Sequence, residues 1–295
     1  MNFDFNEEQT MIMDGIARYI REEYDFDRRR SIIESDSSYS DDVWRQFSEL
    51  GWLSIPFDES YGGFGGHADD LAAVMLELGK GLIIEPYMST VVVFGSLLNA
   101  SNNDSLKEQL IPRIINGQYK GSFAYAEEQS RFEISDVKTS AQKCGDGYKL
   151  NGTKIAVIDA KESDGLIVTA RTGGSQYGAE GISLFLVDTS AEGVAVSSYN
   201  TMDSHSSSTI NLENVFVTEA NLIVDEGEGF RHIESCLPQI LLCLSAEALG
   251  IMEVLNKLTV EYSKTRKQFG APIGSFQALQ HRMVCLLYTS PSPRD

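Results

Sequence analysis

Few residues in this chain are grouped in ways that do chemistry unaided. His205, His232 and His281 are not spaced as metal ligands or as a catalytic dyad, and each is expected at the surface or in a capping role. Cys144, Cys236, Cys243 and Cys285 form no CxxC pair and have no His-rich segment beside them. Neither a zinc site nor a disulfide framework is therefore expected. The thiols read as reduced and mostly buried, as in a cytoplasmic protein. Gly62-Gly63 and Gly65-Gly66 do not make a GxGxxG turn after a strand, so no Rossmann unit is expected. Glu127 and Glu128 are adjacent carboxylates, but the expectation is two solvated loop charges rather than an acid–base pair.

Composition narrows the field further. Among 295 residues, 24 Lys+Arg face 43 Asp+Glu, giving a net charge of −19. Binding to DNA or RNA rests on neutralising phosphates with cations, so no nucleic-acid partner is expected, and no attraction to anionic membranes. At 42% hydrophobic residues the chain can build a sizeable core. The opening MNFDFNEEQ is acidic and lacks the basic and apolar regions of a signal peptide. The apolar run Leu237 to Leu255 contains Glu247 and Glu253, so it reads as a bundle helix rather than a membrane span.

The elements follow from periodicity. Over residues 1–120 the pattern is helical. Asn6 and Gln9 have capping-box spacing, ahead of an apolar face of Ile12, Ile16, Tyr19 and Ile20. Ser40 caps a second helix that Gly51 ends. Further helices are predicted over about Ala68 to Lys80, Met88 to Leu98 and Ser105 to Ile115. From Gly121 the period becomes two, with turns predicted at Gly145-Asp146-Gly147 and Asn151-Gly152. Strands are predicted at Leu166 to Arg171, Gly181 to Asp188, Val194 to Val196 and Ser208 to Val217. Several short strands without intervening helices suggest a barrel or sandwich. After VDEGEGF the helical period returns, and Leu244, Ala248, Ile251, Leu255, Leu258 and Tyr262 form one stripe. Another helix begins near Ser275. The predicted fold class is α+β and multi-domain: an all-α N-terminal domain (1–120), a middle β-barrel domain (121–226) and the start of a C-terminal helical bundle (227–284). Residues 285–295, CLLYTSPSPRD, break the helical pattern and resemble a translated transposase-type sequencing adapter. The expectation is a read-through tail and a natural protein that continues beyond Val284.

This order, with four local strings, resembles the acyl-CoA dehydrogenase family over residues 1–284. The strings are ELGWLSIPFDESYGGFGG (Glu49 to Gly66), DGYKLNGTKIAVID (Asp146 to Asp159), ENVFV with its DEGEGF loop, and TRKQFGAPIGSFQALQH (Thr265 to His281). EPYMST and FAYAEEQSR are similar to the small subunits of heteromeric, pimeloyl-CoA-type members. The resemblance implies FAD as cofactor and an acyl-CoA thioester as substrate. A carboxylate base removes the α proton while a β hydride passes to the flavin. It also implies an assembly, either a homo-oligomer or a complex with a larger paralogue. The R-x-x-F-G string implies cofactor-binding roles for Arg266, Gln268 and Phe269, with Gln277 approaching from the next helix. Arg suits phosphate because its planar fork matches the oxygens.

At the flavin's ring end the chain departs from the family. Where T-E-P-G-A-G-S-D is usual, residues Ala126 to Glu133 read AEEQSRFE, and where W-x-T follows the NG-x-K string, Ala156, Val157 and Ile158 stand. Ala126, Phe132, Ala156 and Ile158 are expected around the ring edge and bring no side-chain donor. The expectation is weak or absent dehydrogenase activity without a paralogue and fewer than one FAD per chain in a heteromer. The family's base falls beyond Val284, so no catalytic residue is assigned. The second reading is a non-catalytic partner subunit that completes a paralogue's FAD pocket. The acyl chain is left open.

Overall fold

The computed structural model describes residues 5–35 and 37–289. α1 (Glu7–Glu23) opens at the capping box: Gln9 N–H donates to Asn6 Oδ1 at 2.8 Å and Asn6 N–H to Gln9 Oε1 at 3.0 Å. Ile16 and Tyr19 are buried on its inner face. α2 (Phe26–Ile33) was not foreseen. It buries only Ile32 and carries three consecutive arginines, so it has no apolar stripe to read. α3 (Asp41–Glu49) is capped by Ser40, buries Val43, Trp44 and Phe47, and is followed by Gly51 at φ 78°. α4 (Ala68–Lys80) comes next. The helix predicted over Met88 to Leu98 is present, but Met88–Phe94 winds as a π-helix before α5 (Gly95–Asn99). α6 (Asp104–Ile115) is capped by Asn103.

Seven strands then form one mixed sheet: β1 (Gly121–Ala124), β2 (Ser140–Cys144), β3 (Gly147–Ile158), β4 (Gly165–Arg171), β5 (Ile182–Asp188), β6 (Val194–Asn200) and β7 (Ser206–Thr218). Their order is β1-β4-β2-β3-β7-β6, with β5 also paired to β4. The sheet is a half-barrel around a core that includes Tyr148, Leu150, Val157, Val168, Phe185 and Ile210. Asn151-Gly152 is not a turn, contrary to expectation. β3 runs through it against β7, with a register shift between Leu150 and Gly152. A Cβ at Gly152 would lie 2.4 Å from Thr139 Oγ1. The glycine thus serves a close approach at a bulge, which leaves the same sequence mark as a turn.

α7 (Gly229–Thr265), the hairpin β8 (Lys267–Gln268) and β9 (Ala271–Pro272), and α8 (Gln277–Thr289) complete the described chain. α8 continues through Cys285 to Thr289, past Val284, where the helical pattern was expected to end, and residues 290–295 of the proposed tail lie outside the described residues. Of the four thiols, Cys236 and Cys243 are buried and Cys144 and Cys285 exposed.

The chain divides into two compact units, residues 1–29, 72–83 and 242–295 in one and 30–71 and 84–241 in the other. In the first, α7 crosses α4 at two glycines. A Cβ on Gly250 would sit 2.0 Å from Leu76 O, and one on Gly79 2.3 Å from Glu247 O. Lys80 Nζ bridges Glu77 Oε1 at 2.7 Å and Glu253 Oε2 at 3.2 Å beside this crossing. α7 is long and apolar enough to cross a membrane by length and composition. Here it packs on α4 through its glycine face. The stripe that periodicity put in the core is left outside: Leu244, Ala248, Leu255, Leu258 and Tyr262 are exposed. The small residues permit the close crossing, and the leucines lie on another face of the helix. So large an apolar surface favours self-association. Leu255→Lys combined with Leu258→Lys is expected to reduce light scattering by the purified chain without lowering its Tm. An unchanged scattering profile would show that the stripe is not what drives association.

Candidate functional site

In the larger unit, β1 leads into Tyr125, Ala126 and Glu127, and β3 runs alongside. Ile155 N–H donates to Ala126 O at 2.9 Å. Under this junction lies Lys154. Its Nζ donates to Glu127 Oε1 at 2.7 Å, Thr169 Oγ1 at 2.7 Å and Tyr125 O at 3.3 Å, which uses all three ammonium protons. Glu127 also accepts from Thr139 N at 3.0 Å, Lys138 N at 2.8 Å and Gln129 Nε2 at 2.7 Å. The two side chains are 3% and 0% exposed. Glu127 is therefore not the solvated loop charge expected from sequence, whereas Glu128 is exposed. The partner that draws it inward comes from a strand 27 residues away.

The electrostatics follow from burial and pairing. Burial works to raise the Glu127 pKa, but Lys154 and the hydrogen bonds outweigh it and bring the carboxyl down to about 2. Burial lowers Lys154 to about 8 while Glu127 holds it up. A carboxyl whose folded pKa lies below its ordinary value contributes stability above that ordinary value and loses it as pH falls toward the folded one. Stability is thus expected to decline between about pH 4.5 and pH 2. Glu127→Gln should flatten that part of the Tm–pH profile, and should itself lower Tm because it leaves Lys154 buried without a counter-charge. An acid limb unchanged by the substitution would assign the decline to other carboxylates.

Of the four residues expected around the ring edge, three are gathered here. Ala126 lies against Ile155, next to Ala156. A register shift between Lys154 and Val157, with Ala156 at φ 52°, leaves Ala156 and Ile158 both exposed while Val157 is buried. The fourth, Phe132, is 100% exposed on a loop behind Arg131 at φ 50° and rests on none of the others. The Ala126 N–H has no partner among the described residues. Tyr125, which the sequence did not single out, is exposed beside Ala126 and stacks on Phe123 with centroids 5.1 Å apart. Nothing in its local spacing marks it, because its position depends on where β1 ends.

The smaller unit holds Arg266, Gln268, Phe269 and Gln277 together. β8 and β9 pair through Lys267–Pro272 and Gln268–Ala271. The tip, Phe269 at φ 52° and Gly270 at φ 81°, has the two left-handed residues of a type I′ turn. Arg266 O accepts from Ile273 N at 2.8 Å across the hairpin base. Phe276, just before Gln277, meets Phe269 edge-on at 6.3 Å. All four residues are exposed, Phe269 at 95%. The Arg266 guanidinium has no ion pair among the described residues. A free guanidinium, an amide and an aromatic ring on a fixed turn suit an anionic group joined to a flat ring system. His232 Nε2 lies 2.8 Å from Leu97 O, in keeping with its capping role. No cluster of metal-ligating residues occurs among the described residues.

Comparison with known proteins adds the following. The acyl-CoA dehydrogenase N-terminal domain matches residues 6–118, the middle domain residues 122–215 and the C-terminal domain residues 227–288. The Probable acyl-CoA dehydrogenase YngJ of Bacillus subtilis is 31% identical, over 96% of this chain and 76% of its own length. Among solved structures, the FAD complex of PigA superposes with a TM-score of 0.90 at 25% identity, covering 99% of this chain and 77% of that one. The ChsE4-ChsE5 complex of Mycobacterium tuberculosis does so with a TM-score of 0.88 at 25% identity, covering 99% and 76%.

Proposed function

The chain belongs to the acyl-CoA dehydrogenase family, and on that footing we propose that it works as a subunit of an oligomeric enzyme that dehydrogenates an acyl-CoA thioester between its α and β carbons, with FAD as cofactor. The observation that carries this reading is the hairpin with Arg266 lacking an ion pair among the described residues and Phe269 exposed. A Phe in a left-handed turn and bare to solvent is costly twice over, in backbone strain and in unburied apolar area. Both costs are offset if the tip has a cofactor to cover.

The residues fit FAD unequally at its two ends. At the phosphate end, Arg266 supplies a planar cation, Gln268 and Gln277 supply amides, and Phe269 supplies a face to pack on. At the ring end, Tyr125, Ala126, Ala156 and Ile158 offer surface, and the Ala126 N–H is a donor without a partner among the described residues. When bound, FAD supplies the hydride acceptor. The chain's own work is to hold the ring edge with backbone groups and to keep the Tyr125–Ala126 turn fixed through Glu127 and Lys154. In the family that this chain belongs to, the R-x-x-F-G string reaches the FAD of a neighbouring subunit, and on that basis the assembly is at least dimeric. The ChsE4-ChsE5 likeness favours a paralogue as that neighbour. The buried, unbridged thiols Cys236 and Cys243 support a cytoplasmic location, and the net charge of −19 argues against a nucleic-acid partner.

Two outcomes follow. Arg266→Ala and Phe269→Ala should each lower the FAD retained by the purified oligomer, read by flavin absorbance per chain, while the circular dichroism spectrum stays unchanged. Full flavin content in both variants would remove the hairpin from the site. Ala126→Thr with Ile158→Thr restores two side-chain donors at the ring edge. It should raise the rate of anaerobic flavin bleaching by acyl-CoA thioesters by about tenfold, since ~1.4 kcal/mol of improved orientation has that effect. No acceleration would mean that backbone donors already suffice.

A further inference from the structure

Asp159 follows the exposed Ala156–Ile158 edge directly, and its situation is unexplained by the fold alone. It is a non-glycine residue in the left-handed region, at φ 57° and ψ 17°. Its side chain is buried, yet it has no ion-pair partner among the described residues, in contrast to Glu127. Instead Ser89 Oγ donates to Asp159 Oδ2 at 2.6 Å. Ser89 stands on the π-helix, a rare winding that often accompanies a functional position. The backbone of Asp159 is held on both sides as well: its N–H donates to Ser206 O at 2.9 Å and its C=O accepts from Ser163 Oγ at 2.8 Å. Ser163 Oγ in turn meets Ser122 Oγ of β1 at 2.6 Å. A series of hydroxyls thus ties the end of β3 to the π-helix and to β1, with Asp159 at its centre. Burial raises the carboxyl's pKa and the Ser89 hydrogen bond opposes that rise. Strain and a buried carboxyl without an ion pair among the described residues, combined in one residue, mark a position kept for more than stability.

We propose that Asp159 and Ser89 form a clamp that fixes the backbone of Ala156–Ile158 for the flavin ring, in place of the side-chain donors this edge lacks. The inference rests on the reading that FAD lies against that edge. Asp159 is a positioning residue here, acting through the strand end it holds. The clamp needs an acceptor at position 159 and a hydroxyl at position 89, and does not need the negative charge.

The test compares Asp159→Ala, Asp159→Asn and Ser89→Ala in the purified oligomer. Three quantities are read: the FAD dissociation constant by titration of the apoprotein, the visible spectrum of bound flavin, and amide hydrogen exchange over residues 156–160 without FAD. Loss of one buried hydrogen bond that orders the edge should weaken FAD binding about tenfold in Asp159→Ala and Ser89→Ala. Both should shift the flavin band and speed exchange over 156–160. Asp159→Asn keeps an acceptor for Ser89 and should stay within about threefold of the wild type. If Ser89→Ala binds FAD as tightly as the wild type with an unchanged spectrum, the clamp has no bearing on the cofactor and the proposal falls, whatever happens to Tm. If the wild type takes up no FAD, the cofactor reading fails on its own account. Exchange then decides the clamp: faster exchange at 156–160 in Ser89→Ala upholds it as a device of the strand end, and unchanged exchange overturns it.

Discussion

The buried pair of Glu127 and Lys154 is the constraint on which the β-sheet half of the molecule depends. Taking both charges out of water costs several kcal/mol per ion, and only close geometry with full hydrogen bonding offsets that. Here the offset is complete in kind, because every ammonium proton has an acceptor and the carboxylate takes two backbone N–H groups as well. The pair therefore cannot shift without leaving a charge stranded. It fixes the turn after β1, the start of β2 and the middle of β3 as one piece. A turn fixed in this way can present backbone groups at its surface, which a mobile loop could not do with any precision of angle.

That rigidity bears on how the proposed ring end works without side-chain hydroxyl donors. Side-chain donors tolerate small backbone movements because rotamers adjust. Backbone donors do not, so an edge built from them needs its backbone held. The structure supplies two holds, Lys154 beneath Tyr125–Glu127 and the hydroxyl series around Asp159. The bulge between Lys154 and Val157 reverses the parity set by buried Lys154, so that Ala156 and Ile158 face outward and Val157 inward. The surface at this point is shaped by backbone, with small or aliphatic side chains that leave it open.

The hairpin in the other unit solves a different problem by similar means. Phe269 and Gly270 close a two-residue turn whose twist matches its strands. The short ladder and the Phe276 edge contact keep the tip from collapsing, so Arg266, Gln268 and Phe269 stay presented. On α7 and α4 the glycines at 250 and 79 let two backbones approach, and the leucine stripe faces elsewhere. At the crossing the glycines set where backbone comes close, whereas at the hairpin Gly270 takes the positive φ that the turn requires.

Local order was legible in the sequence to the extent that it depends on local interactions. The Asn6–Gln9 box, the Ser40 cap, the strands outside β3 and the family strings all reflect neighbours in sequence, and these stand close to where they were read. α2 escaped because its eight residues, FDRRRSII, put apolar side chains only at the two ends and so carry no periodic signal. Asn151-Gly152 misled because a glycine required for close approach to Thr139 looks the same as one required for a turn. The fate of Glu127 and the linkage of Asp159 to Ser89 could not be read at all. Each joins residues tens of positions apart, and a charge's pairing depends on which strand passes beneath it. Residue order alone determined the helical and strand segments, the family and the identity of the residues on the hairpin. Only tertiary packing decided which carboxylates are buried, which face of α7 is covered and which edge of β3 stands open. Those depend on contacts between distant segments, whose free energy no local pattern encodes.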